Sequence, residues 1–82
     1  MDYAKILKTI AVGLVANSEK LEVRQMPSLD EKTVVLHVYS SQEDLGKLIG
    51  HKGVIANSIR QVMAVSSRFD EKKLDIQFES YE

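Results

Sequence analysis

The spacing of two glycines, Gly50 and Gly53, restricts the fold of this chain more than any other feature of its sequence. An apolar pair, Leu48 and Ile49, leads into the first glycine, and a helical pattern begins directly after the second. Glycine has no Cβ and adopts positive φ readily, so a chain can turn sharply at such positions. The pattern therefore predicts a helix, a short loop whose tip carries residues 51 and 52, and a second helix.

The positive charges of the chain are concentrated around this loop. Between Leu45 and Phe69 there is no Asp or Glu, so four basic residues give the segment a charge of +4 in a chain of net charge −1. These basic residues are Lys47, Lys52, Arg60 and Arg68. Because the second helix begins at the loop, its free N–H groups and positive dipole end are expected to point there. Together these features predict a phosphate-binding loop, and an ordinary turn between two helices is the alternative interpretation.

The segment from Ile49 to Gly53, followed by Ile59, resembles the GXXG loop of KH domains, which clamps the backbone of four nucleotides. The whole chain is similar to small stand-alone bacterial KH proteins of the KhpA type. The specific part of the likeness extends from Gly46 to Arg60, and one departure is Ala56, where many KH domains have Ile. The resemblance implies an RNA-binding protein that acts as an RNA chaperone or post-transcriptional regulator.

The RNA-binding residues implied by this resemblance surround the loop. They are Lys47, Ile49, Gly50, His51, Lys52, Gly53, Ile59 and Arg60. In that family the nucleic acid lies in a groove between the loop, its two helices and the middle strand. An apolar floor for the bases of a single strand is expected from Leu36, Val38, Ile49 and Ile59. We expect Lys52 to contact phosphate, whereas for His51 a base contact, a phosphate contact and a solvated side chain all stay open.

Three segments of the chain have helical periodicity. The first covers residues 3–16, and its apolar face is formed by Ile6, Leu7, Ile10, Leu14 and Val15. The second covers residues 42–48 and follows a capping-box spacing between Ser40 and Glu43. The third covers residues 54–67, with a core face formed by Ala56, Ile59 and Met63 and flanked by Val62.

Three further segments, residues 21–26, 33–39 and 74–79, alternate as strands do. The middle one has apolar residues on both faces, so it is expected to be buried on both sides or overlaid by a ligand. The order α-β-β-α-α-β predicts an α+β fold in which three helices cover one face of a three-stranded sheet. This is the order of the type II KH fold, and residues 1–82 are expected to form a single KH domain.

Several classes of protein are excluded by the composition. The chain has no Cys and only two His without a clear acidic partner, so we expect no metal, no cofactor and no enzyme activity. A P-loop is excluded because His51 occupies the position that its second glycine requires. The apolar run at residues 10–16 is too short to cross a membrane, and the absence of Cys fits the cytoplasm.

The third helix also has an uncharged face that is a candidate interface for a homodimer. It consists of Val54, Ser58, Gln61 and Val65. Scattered surface valines are the alternative, since such residues are common on monomers. The resemblance implies either a homodimer or a heterodimer with a larger KH-containing protein of the Jag, or KhpB, family. A protein–protein adaptor that works mainly by docking onto that partner is therefore the alternative function.

Overall fold

The computed structural model describes residues 2–81. Its elements are α1 (Tyr3–Val12), β1 (Glu22–Met26), β2 (Thr33–Ser40), α2 (Gln42–Ile49), α3 (Val54–Phe69) and β3 (Lys73–Ser80). Short 3-10 turns occur at Ser18–Lys20 and at His51–Gly53. The predicted order and the α+β class are confirmed.

The sheet has the order β1-β2-β3, with β2 antiparallel to β1 and parallel to β3. A parallel pair cannot be joined by a tight turn, so the chain crosses over between β2 and β3 through α2 and α3. Leu36 lies opposite Ile76 in this register, and both are buried. The three helices pack on this face of the sheet, and their main contribution to the core is Tyr3, Leu7, Ala11, Leu48, Ile59 and Met63.

The first helix is shorter than its periodicity predicted. It ends at Val12 with Gly13 as its C-cap, and the following Leu14 is 39% exposed. The prediction that Leu14 belongs to the core face is therefore wrong, because the helix stops before this residue. The N-terminal end of α1 is fixed by Tyr3, whose hydroxyl donates a hydrogen bond to the Asp70 carboxylate. This bond, together with burial, raises the pKa of Tyr3 to about 12.

The outer face of β2 is only half-buried, so the prediction that this strand is buried on both sides is wrong, while its alternative, a ligand over this face, stays a prediction. Val35, His37 and Tyr39 are half-buried, and among residues 2–81 no helix packs over them. Their cover comes from neighbouring side chains in the sheet: Tyr81 stacks on Tyr39 with 5.6 Å between ring centroids, and the Arg24 guanidinium lies 5.5 Å from the same ring. Cross-strand contacts of this kind explain why a strand with two apolar faces needs only one layer of helices.

The start of α2 is fixed by a buried carboxylate. The helix cap is Ser41 rather than the predicted Ser40, and its hydroxyl accepts a bond from the Asp44 N–H. The Asp44 carboxylate accepts the backbone N–H groups of Ala16 (3.0 Å) and Asn17 (2.9 Å), which holds the pKa of that carboxyl below its usual 3.8. Because the pKa of Asp44 is lower in the folded than in the unfolded state, its ionised carboxylate stabilises the fold at pH values above the unfolded-state pKa. This stabilisation is lost as the pH falls through the folded-state pKa.

None of the helices in the part of the chain that the structure describes is long and apolar enough to span a lipid bilayer.

Candidate functional site

The loop between α2 and α3 has the conformation that its two glycines predicted. Gly50 has φ 75° and ψ 178°, a region that is essentially restricted to glycine, and a Cβ there would lie 2.3 Å from Cγ1 of Ile55. Gly53 has φ 78° and ψ 14°, and a Cβ there would meet nothing within 4 Å. Glycine is therefore required at position 50 by both backbone and packing, whereas at position 53 it is only favoured, and by the backbone alone.

Two of the amides at the start of α3 are used within the loop itself. The Gly53 N–H donates to the Gly50 carbonyl at 3.2 Å, and the Val54 N–H donates to the carbonyl of His51. The turn is therefore closed by its own hydrogen bonds. This narrows the predicted phosphate site, because these two N–H groups are not free for a ligand.

The side chains at the tip of the loop point into solvent. His51 and Lys52 are both exposed, and within residues 2–81 neither side chain has a hydrogen bond or ion pair. Lys52 has φ 55°, so the tip lies in a left-handed conformation. Lys47, in the last turn of α2, lies 3.6 Å from the Asp44 carboxylate and its side chain is 51% exposed. The loop thus presents two polar side chains without a partner among residues 2–81. Beside them lies Lys47, whose ammonium group is partly exposed and partly engaged by Asp44.

The predicted apolar floor is only partly present. Ile49 is half-buried and reaches the surface, but Leu36 and Val38 are fully buried beneath the helices, so the prediction that they line a groove is wrong. Ile59 is 4% exposed and supports the loop from within the core. Ile55, which packs against Gly50, was not predicted. The signal for it was the glycine itself, since a residue without Cβ leaves room for a neighbour.

The strand beside the loop helices is β3, not the middle strand β2 that the resemblance implied. Both α2 and α3 pack mainly against β3, which forms one edge of the sheet. Arg60 connects α3 to this edge, and its Nη2 donates to the Ile76 carbonyl at 3.1 Å. Its Nη1 donates to Oδ1 of Asn57 at 3.3 Å, and its guanidinium carbon lies 5.4 Å from the centroid of the Phe78 ring. The structure therefore places the Arg60 side chain against the edge strand β3, and Arg60 itself about 10 Å along α3 from Gly53, at 1.5 Å per residue.

The uncharged face of α3 is exposed as predicted. Val54 and Val65 are 57% and 55% exposed, and Ser58 and Gln61 lie beside them. The prediction that Val62 flanks the core is wrong: it is 57% exposed, because at 100° per residue it lies nearer to Val65 than to Met63. Phe69, which was not predicted, is 82% exposed on the same side. We call this set the α3 strip: Val54, Ser58, Gln61, Val62, Val65 and Phe69.

A helix–GXXG–helix unit, placed between two parallel strands in the order α-β-β-α-α-β, defines a KH domain of the type II order. The family described as KhpA/KhpB, KH domain matches residues 4–78, and the chain belongs to this family. It is 33% identical over 73 residues to the RNA-binding protein KhpA of Clostridium perfringens, covering 89% of this chain and 95% of that protein. It is 35% identical over 63 residues to the RNA-binding protein KhpA of Aquifex aeolicus, covering 77% of each.

Proposed function

We propose that this chain binds single-stranded RNA through the loop from Gly50 to Gly53, as an RNA chaperone or post-transcriptional regulator in the cytoplasm. The observation that carries the proposal is a pair of exposed side chains, His51 and Lys52, on a closed glycine turn at the start of α3; neither has a hydrogen-bond or ion-pair partner among residues 2–81. The turn lies in a segment without any acid from Leu45 to Phe69, so nothing within it repels phosphate. The names of the relatives, RNA-binding protein KhpA, support RNA as the ligand.

Each residue of the proposed site has a role that follows from its position. Gly50 and Gly53 hold the turn, Lys52 and Lys47 neutralise phosphates, and Ile49 offers apolar surface to a base. His51 contacts a base or a phosphate at the tip. Ile59 acts from beneath as support for α3, and Arg60 supplies a third cation, further along the helix.

A single strand suits this surface better than a duplex, because its bases can turn toward the apolar surface beside the loop while the loop holds the backbone. Base stacking on aromatic rings contributes little, since Tyr39 and Tyr81 stack on each other on the outer face of the sheet. We propose no catalytic role, because His51 has no carboxylate partner within residues 2–81 that could orient it as a base.

The direct test is a titration of a short single-stranded RNA and of the same sequence as a duplex, repeated at several salt concentrations. We expect the single strand to bind more tightly. With Lys47, Lys52 and Arg60 as the phosphate contacts, log K should fall against log salt with a slope of about −2 to −3, at about 0.7 per contact. A slope near −8, or equal binding of both forms, would contradict a small loop-centred site.

We also propose that the α3 strip is an interface, first for a second copy of this chain and alternatively for a larger KH-containing partner. The strip covers the whole of α3, about 22 Å long at 1.5 Å per residue. At a helix width of about 10 Å it offers roughly 220 Å² per subunit, well below the roughly 800 Å² per partner of a standard interface. We therefore expect weak association, in which a second RNA contact becomes intramolecular and raises the overall affinity.

The substitution Ser58→Arg is expected to convert such a dimer into a folded monomer with weaker RNA binding. It places a charge on the uncharged α3 strip, and like charges lie close together where a twofold axis brings a residue near its own copy. Sedimentation equilibrium at high micromolar concentration measures the change, with Thr9→Arg, on the exposed side of α1, as the matched control. A parent protein that stays monomeric would rule out the homodimer. A Ser58→Arg variant that is still dimeric would show that the interface does not lie on the α3 strip.

A further inference from the structure

The outer edge of β1 carries backbone groups that the fold leaves unpaired. The carbonyls of Lys32 and Ser40 accept N–H groups from the side of β3, so the even-numbered residues of β2 point toward β3 and the odd-numbered ones toward β1. In the antiparallel register, these odd-numbered residues lie opposite the even-numbered residues of β1. Val23 and Gln25 therefore direct their N–H and C=O groups outward, where no group among residues 2–81 bonds to them.

The first helix supplies a basic wall beside this edge. α1 packs on β1, and the stretch at positions 3–18 contains two lysines and no acid. These lysines, Lys5 and Lys8, are exposed and lie about one helical turn apart. Together with Thr9 and Val12 they line an open groove whose walls are mainly apolar. In the part of the chain that the structure describes, neither lysine forms an ion pair.

The single acid of β1, Glu22, is already engaged. Its carboxylate accepts two N–H groups of the Arg24 guanidinium, at 2.7 and 3.1 Å, and the Tyr81 hydroxyl at 3.0 Å. Hydrogen bonds from these two groups lower the pKa of Glu22, and the Lys8 ammonium adds to the shift. A charge has this effect only at short range, so Lys8 lies on the side of α1 that faces the start of β1. The positive charge of the helix wall is therefore left for a ligand.

A second copy of this chain does not suit the β1 edge. Pairing β1 with itself about a twofold axis would place the α1 helices of the two protomers side by side. Lys5 and Lys8 would then face their own copies, and juxtaposed like charges are destabilising. Lysines beside an open edge protect it in this way from pairing with itself. The same lysines attract a strand that carries carboxylates.

We propose that the outer edge of β1 is a docking site for an extended acidic segment of another protein, which adds a fourth strand to the sheet. The backbone groups of Val23 and Gln25 pair with this strand, and its carboxylates on the helix side reach Lys5 and Lys8. Because side chains alternate along a strand, every second position of the segment favours Asp or Glu. Since α2 and α3 pack mainly on β3, at the opposite edge of the sheet, this docking site leaves the Gly50–Gly53 loop free.

Titration of the isotope-labelled protein with a short capped peptide, in which glutamate and valine alternate, tests this proposal by NMR. We expect the amides of Val23 and Gln25 to shift most and to exchange their hydrogens more slowly, because the peptide bonds to them. A peptide with lysine in place of glutamate should bind at least about fivefold more weakly. In the double variant Lys5→Gln with Lys8→Gln, affinity for the acidic peptide should fall by about three- to tenfold, as two exposed ion pairs allow.

A backbone variant tests the strand pairing separately from the charge. Gln25→Pro removes an outward N–H from an edge strand and leaves the ladder to β2 intact, so it should also weaken the acidic peptide, by about fivefold. If this variant does not fold by circular dichroism, Lys5→Glu with Lys8→Glu replaces it and should abolish binding of the acidic peptide.

The matched control is Lys32→Gln with Lys73→Gln, which removes the same charge from exposed positions outside the groove and should bind the acidic peptide like the parent. Equal binding of the acidic and basic peptides, or amides of Val23 and Gln25 that do not respond, overturns the proposal. If oligouridine shifts these two amides in place of the peptide, the edge is an RNA surface. If they shift with protein concentration alone, it is a contact between copies. Either result also overturns the proposal.

Discussion

Replacing both residues at the tip of the loop with carboxylates, His51→Asp together with Lys52→Asp, is expected to abolish RNA binding without disturbing the fold. Two negative charges would face the phosphates that the loop is proposed to hold, and juxtaposed like charges cost enough to lower affinity by roughly a hundredfold or more. Neither native side chain has a partner among residues 2–81, so no contact of the fold is lost. Asp also tolerates the left-handed backbone that residue 52 adopts, at φ 55°.

Titration with a short single-stranded RNA, accompanied by a thermal melt, measures both parts of this result. The control is the uncharged pair His51→Asn with Lys52→Asn, which has the same shape as the acidic pair. It should weaken binding less than the acidic pair, because it removes attraction without adding repulsion. An acidic variant that binds as tightly as the parent and melts at the same temperature would exclude the loop from RNA binding.

The second large effect concerns stability, and it separates the two glycines of the loop. We expect Gly50→Ala to lower the free energy of unfolding by about 3–5 kcal/mol, which combines a backbone region closed to alanine with a steric clash. The clash arises because the new Cβ would lie 2.3 Å from Ile55 Cγ1 and 2.9 Å from its Cβ. For a domain of this size the loss corresponds to a fall in melting temperature of at least about 12 °C.

Gly53→Asn is the matched control for this prediction. The left-handed region of Gly53 is one that asparagine visits, and the space around it is open to 4 Å. We therefore expect Gly53→Asn to lower the free energy of unfolding by about 1 kcal/mol or less. Differential scanning calorimetry of the two variants measures the difference between their melting temperatures. Equal melting temperatures for Gly50→Ala and Gly53→Asn would mean that Ile55 can move aside and that packing does not fix the first glycine.

The element order could be predicted because each element leaves a local signal. The run from Thr33 to Tyr39 is rich in β-branched residues, and the loop glycines are separated by a fixed short interval. Errors arose where a distant contact decides the outcome. Asp44 turns inward to bind the amides of Ala16 and Asn17, which lie 28 and 27 residues away along the chain. Spacing along the chain does not encode such long-range partners.

Arg60 illustrates the same limit at the candidate site. Its position in a positively charged segment predicted an RNA contact, and this stays a prediction. The hydrogen bond from Arg60 to Ile76 joins residues 16 apart, on a helix and on an edge strand. Periodicity indicates that Arg60 lies outside the helical core face, but it does not indicate that a backbone carbonyl lies within reach.

The glycine loop lies within the crossover connection from β2 to β3, so the proposed binding site is part of the segment that joins the two parallel strands. These two strands are neighbours in space, yet they are joined through α2, the loop and α3. A nick at the loop would therefore break the covalent connection between the two parallel strands, whereas the turn between β1 and β2 joins an antiparallel pair that needs no crossover. We therefore expect new termini made by circular permutation, or an inserted tag, to be tolerated best at the turn between β1 and β2, where Leu29 is fully exposed.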